Sequence, residues 1–227
     1  MALAVSEAVA EVAVTTNAQS YATGSFTPAA DSLLVAIFHT QNTAINGGIS
    51  GGSLTWDQRL INVATHVSGI YTAQVGASPS SMTVTFDCTG DAASGCVMYV
   101  FQVTGHNTSA PVPQAAVRKT GVSANTPTLD FGSNLDTNNA YCVILINSTN
   151  PVGVTDPASF TNIGSGGFNT PTTGHSGAYR VNGETGTTLT WGGAGASAWI
   201  TQGIEIAVAA GAPFPPWPQP VYISRSY

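Results

Sequence analysis

Apolar and polar positions along this chain alternate in short runs of about six to eight residues, broken by Gly, Pro, Ser and Asn. The pattern predicts strands at 20–27, 32–39, 54–62, 68–74, 82–87 and 97–104. A second series follows at 128–132, 140–147, 159–164, 177–181, 187–191 and 198–208. Glu11–Thr16 is also strand-like, although the alanines of residues 1–10 allow a helical turn. No segment sustains apolar spacing at i, i+3, i+4 and i+7 with caps, so helices should be scarce. Gly47–Gly52, Gly76–Ser81 and Asn162–Gly174 read as loops, and Asn182-Gly183 is a strong short-turn signal.

The two series echo each other. Asp31–Thr40 is matched by Asn138–Asn147, a displacement of about 107 residues, and His66–Tyr71 by Gly174–Tyr179, a displacement of about 108. Met82–Phe86 answers to Thr187–Trp191, and each series closes on an apolar alternating run, Cys96–Val103 and Trp199–Val208. One β module used twice is the expected architecture, with one shared domain favoured over two tandem ones. The expectation is therefore an all-β protein, a jelly-roll-like or immunoglobulin-like β-sandwich with a pseudo-twofold internal repeat. Residues 1–19 form an N-terminal arm or first strand, 20–210 the sandwich, with repeat halves at about 20–105 and 126–210. Residues 106–125 connect the halves, either as a linker or as a crossing within one sandwich.

The last segment, 211–227, changes character. Five prolines, at 213, 215, 216, 218 and 220, fix φ and remove donors, so an extended, polyproline-like course is expected. It carries Phe214, Trp217, Tyr222 and Tyr227, the candidate partner-binding residues. Rings this numerous either lie back over their own domain or reach a partner.

Composition narrows the partners. The hydrophobic share of 43% permits a real core, but only 7% of residues are charged, against about 25% in ordinary soluble domains. Surfaces of Ser, Thr, Asn and Gln suit strands, and they suit proteins packed against others, where unpaired charge is costly to bury. Net charge is −6, and the basic residues Arg59, Arg118, Lys119, Arg180 and Arg225 are scattered along the sequence. Without a basic stripe, neither nucleic acid nor anionic membrane is an expected partner. No apolar run approaches the roughly eighteen residues that span a bilayer. The N-terminus has no basic region and carries Glu7 and Glu11, unlike a usual signal peptide.

Candidate chemistry is sparse. Cys88 and Cys96 flank a turn-rich stretch and could face each other, but three free, mostly buried thiols are favoured, with Cys142 a small buried hydrophobe. No cysteine set has zinc spacing, so no metal or cofactor is expected. His66 and His175 occupy nearly matching places in the two repeats and read as structural hydrogen-bonding residues, alongside His39 and His106. No Gly-x-Ser-x-Gly elbow precedes a helix. Asp57, Asp87, Asp91, Asp156 and Glu205 lie near strand ends, yet nothing pairs two of them as hydrolytic carboxylates. Asp87–Asp91 lacks the spacing of a calcium loop, and Glu205 should point to the outer face of its strand. Trp56, Trp191 and Trp199 sit at apolar strand positions, where core burial is expected over sugar stacking. No catalytic residue is assigned.

Ser25–Ala36, Gly52–Trp56 and Ser81–Phe86, then Ser176–Val181, Thr187–Trp191 and Ala198–Ile200, together resemble a group of β-sandwich proteins of tailed-bacteriophage virions, over roughly residues 20–208. The resemblance implies a non-enzymatic virion structural protein, in first place a capsid decoration or cement protein, made in the host cytoplasm. Its partners would be the major capsid protein or other virion proteins, with self-association left open. The alternative expectation is a carbohydrate-binding or adhesion module on a virion appendage or cell surface, with a glycan as ligand.

Overall fold

The computed structural model describes residues 2–40, 48–63, 67–88, 93–122, 126–147, 155–168, 173–193 and 198–210. Among them the chain forms antiparallel strands and no helix. The first eight strands are β1 (Ala4–Ala18), β2 (Ser20–Ala22), β3 (Leu33–Thr40), β4 (Ile49–Ser50), β5 (Asp57–Val63), β6 (Val67–Gln74), β7 (Thr85–Asp87) and β8 (Ala93–Thr104). The rest are β9 (Val117–Gly121), β10 (Thr128–Asp130), β11 (Ala140–Asn147), β12 (Thr161–Phe168), β13 (Thr173–Val181), β14 (Thr188–Thr190) and β15 (Trp199–Ile206).

One five-stranded sheet runs β1-β8-β3-β6-β5, and the other runs β9-β15-β11-β13-β12. The smaller sheets are β2-β7-β4 and β10-β14. When β9 is matched to β1, β10 to β2 and so on, both halves show one strand order, with β4 as the extra strand. The β9 strand lies within the 106–125 connection, where it closes an edge of the second sheet against β15. Likewise β4 falls in the glycine-rich stretch 47–52 read as a loop, and β12 continues to Phe168 through residues read as loop. Glycine weakens a strand by entropy but does not forbid one where neighbours supply the ladder.

The sheets stack in four layers. The two five-stranded sheets face each other across a core that includes Val35, Ile37, Tyr99 and Phe101 from one half and Cys142, Ile144, Ile204 and Ile206 from the other. The outer face of the first sheet packs on β2-β7-β4 through Phe38, Phe86, Met98 and Val84. That of the second packs on β10-β14 through Leu129, Tyr141, Leu189 and Trp191. Both large sheets are thus covered on both faces. Every residue of β3, β11 and β15 is buried, which is why Leu33–Phe38 and Ala140–Ile146 read as near-continuous apolar runs.

The pairing register corrects one part of the repeat. Leu33 pairs with Gln74, and Ala140 with Val181, so the halves correspond at a constant displacement of 107 through β6 and β13. The apparent shift of 108 between Tyr71 and Tyr179 is a one-residue slip. It puts Tyr71 in the outer core, while Tyr179 packs against the inner one, because successive strand residues face opposite ways. The structural counterpart of His175 is Ser68, and His66 lies outside the described residues.

Candidate functional site

The proposed partner-binding residues Phe214, Trp217, Tyr222 and Tyr227 lie outside the described residues, as do Asp91 and Arg225. Three clusters of polar groups bear on the candidate chemistry, while His106 is engaged apart from them, its Nε2 2.8 Å from Gln74 Oε1.

The first lies between the two large sheets, where β1 and β8 cover β12 and β13. The Tyr99 hydroxyl donates to the Gly164 carbonyl at 2.9 Å and sits 2.5 Å from His175 Nδ1. A phenol has one proton, so His175 Nδ1 carries its own and donates it to Tyr99. Burial pushes the Tyr99 hydroxyl far above its ordinary value, aided by Glu11, Asp156 and Glu7. Burial also pushes His175 down to about 4, so the imidazole is neutral at pH 7. A Cβ on Gly164 would meet the Glu11 carboxylate at 2.7 Å, and one on Gly177 would meet the Tyr99 ring at 2.5 Å. Glycine at both positions is what lets these side chains in. The pseudo-equivalent place on the other side holds Gln202, Ser68 and Arg118, where Arg118 Nε donates to Ser68 Oγ at 3.2 Å. Both constellations join the halves; Tyr99 and His175 are buried, whereas Arg118 is half-buried at the edge of the stack.

Glu205 points away from the inner core, as alternation requires, but a loop covers it and it is only 2% exposed. Its Oε1 accepts from the Asp136 amide at 2.8 Å and from Asn139 Nδ2 at 2.9 Å, and its Oε2 accepts from Gln114 Nε2. Asn139 Oδ1 in turn accepts from the Val208 amide, and Gln114 Oε1 from Ser133. The carboxylate is a fastener for the 132–139 loop. Sequence reading missed it because the donors lie about seventy and ninety residues away.

On the far face of β13, Ser176 Oγ donates to Asp156 Oδ1 at 2.6 Å and Asn162 Nδ2 to Asp156 Oδ2 at 2.7 Å. His175 faces the opposite side of the same strand, so no Ser–His–Asp relay forms here. Among the described residues no three His, Cys, Asp or Glu side chains converge as metal ligands. Cys88, Cys96 and Cys142 are buried thiols. Burial raises the Cys96 and Cys142 thiols, with Cys88 contributing at Cys96. Trp191 and Trp199 are core residues. Trp56 is half-buried, with its indole N–H donating to the Gly51 carbonyl at 3.2 Å. Among the residues whose exposure is described, no aromatic ring stands fully exposed as a sugar platform. A shallow cleft of about 100 Å3, bordered by Pro28, Leu54, Pro79 and Met82, opens beside Gly52 and Gly76.

The fold sorts charge in a way the linear sequence conceals. Arg59 lies on β5, Arg118 and Lys119 on β9, and these two edge strands bound the same side of the stack. The opposite side, edged by β1 and β12, carries Glu7, Glu11 and Asp156 and no Lys or Arg on either strand. Arg59, Arg118 and Lys119, scattered in sequence, thus share one lateral edge, while Arg180 on β13 is paired with Glu184.

No known protein family matches this chain, and no curated protein matches it in sequence.

Proposed function

We propose that this protein is a non-enzymatic structural component of a tailed-bacteriophage virion, in first place one that decorates or cements the capsid. The observation that carries this reading is a rigid, doubly covered β body with only 7% charged residues, joined to a proline- and aromatic-rich terminal segment. A charge-poor surface loses little solvation when it is packed against another protein. Burial of apolar area across subunit junctions would add free energy that binds only the assembled shell. Three polar groups that could have been catalytic are engaged internally: Glu205 fastens a loop, Asp156 accepts from Ser176, and His175 is bonded to Tyr99. The major capsid protein is the partner this reading names. A glycan-binding role draws less support, since Trp191 and Trp199 are core residues and Trp56 is half-buried.

The test is a mass-spectrometric inventory of the purified particle with copy number. Hundreds of copies are expected for a shell protein. A few dozen copies would move the protein to an appendage, and absence from the particle would overturn the proposal.

A further inference from the structure

We infer that the two lateral edges of this sandwich are complementary and that the protein associates head to tail with a second copy, the β1/β12 edge of one against the β5/β9 edge of the next. The inference stands apart from any virion role, so its failure would leave the proposed function untouched.

The acidic edge holds Glu7 and Glu11 on β1 and Asp156 just before β12. Ion pairs among the described residues are Arg59–Asp57, Lys119–Asp130 and Arg180–Glu184, and none of them includes Glu7, Glu11 or Asp156. Glu7 Oε1 is buried with no hydrogen-bond donor. Burial and the neighbouring Glu11 raise the Glu7 carboxyl, as expected of two acids held together without a cation. The basic edge holds Arg59, Arg118 and Lys119. Asp57 at 3.0 Å and Asp130 at 2.6 Å neutralise it in part, which leaves one net positive charge. Both edges are built from the ends of two stacked sheets, so a second copy can meet them along two strands at once.

The contact is made by side chains rather than by strand addition. Bulges interrupt the ladders of β1, β5 and β12, and a bulged edge twists away from further pairing. Such a contact is weak in free solution, sensitive to salt, and strengthened where copies are held close together. Because the two patches differ, the interface is heterologous and generates rings or strings rather than closed twofold dimers.

Sedimentation of the full chain tests it, from micromolar to millimolar protein, at about 10 mM and about 1 M salt. The expected result is a mass at least doubling with concentration at low salt and monomer at high salt. Two variants separate the edges: Arg59→Glu with Lys119→Glu on one, and Ala4→Lys, Ser6→Lys, Ala10→Lys and Ala13→Lys together, at exposed positions of β1, on the other, where they turn the acidic edge net positive. Each alone should stay monomeric, and an equimolar mixture should associate. Circular dichroism confirms that each is folded. A wild-type chain that is monomeric throughout overturns the inference. So does association that survives high salt or either variant, or a mixture that stays monomeric.

Discussion

Burial holds His175 at about 4, whereas the unfolded chain titrates it near 6.5. Between those values the unfolded chain binds more protons, so the stability from keeping this ring neutral is complete above pH 6.5 and is lost as pH falls toward 4. The full effect is on the order of 3 kcal/mol, and about 2 kcal/mol should have gone by pH 5. Urea midpoints at pH 7 and pH 5 measure it. His175→Gln should flatten most of that dependence, the remainder coming from His106, which burial also lowers. An unchanged slope in the variant would show that other groups carry the acid sensitivity. The Tyr99 ring is bounded by the bare backbone of Gly177, so Gly177→Ala drives a methyl to within 2.5 Å of it. A loss of about 1–3 kcal/mol is expected from overpacking, read as a lower urea midpoint at pH 7. Asn182, at φ 58, and Gly183, at φ 83, show the other side of residue-scale legibility. Both residues take the positive φ that an Asn-Gly turn asks for, but the chain only bends there, since β13 and β14 belong to different sheets, and Arg180 donates to the Asn182 carbonyl at 2.9 Å.

Among the elements, strands with a local signature were legible and strands that depend on distant partners were not. β3 and β11 are long apolar runs and β6 and β15 carry apolar alternation, and sequence placed each to within a few residues; of β13, rich in Gly, Ser and Thr, it placed only 177–181. β9, with Arg118 and Lys119 in its five residues, has no apolar alternation of its own; it is a strand because β15 offers an open ladder from Trp199 to Gly203. β4, two residues among glycines, exists only through β7. The four-layer stacking was equally hidden, since alternation suggests one wet face and these large sheets have none. β1 is the strongest case of tertiary dependence. It pairs with β8 along almost its whole length and contributes Val5 and Val12 to two different cores. Deleting residues 1–18 should therefore abolish folding rather than trim an arm, because it opens the β8 edge and both cores. A truncated protein with wild-type thermal midpoint would show that β1 is dispensable. Glu205→Ala acts at the same scale, since it strands the Asp136 amide, Asn139 and Gln114 without their acceptor. A cost of about 3 kcal/mol is expected, with faster amide exchange at 132–139 as its signature.

For the whole molecule, the repeat explains shape and leaves attachment to what differs between the halves. Two copies of one strand order account for the three cores, and those cores are made up of residues between Leu3 and Ile206. The segment 211–227, with Phe214, Trp217, Tyr222 and Tyr227, has no counterpart after the first repeat. An extended proline-rich segment loses less entropy on docking than a flexible one. Four rings of roughly 150–250 Å2 each, at about 25 cal/mol per Å2, would contribute several kcal/mol against a partner before entropy costs. Removing 211–227 should accordingly leave a folded β protein with its thermal midpoint nearly unchanged, while co-sedimentation with the virion that the proposed function names falls at least tenfold. Far-ultraviolet circular dichroism and a particle pelleting assay read the two effects separately. Full occupancy without the segment would assign attachment to the sandwich surface. A collapsed thermal midpoint would show instead that the four rings strap their own domain.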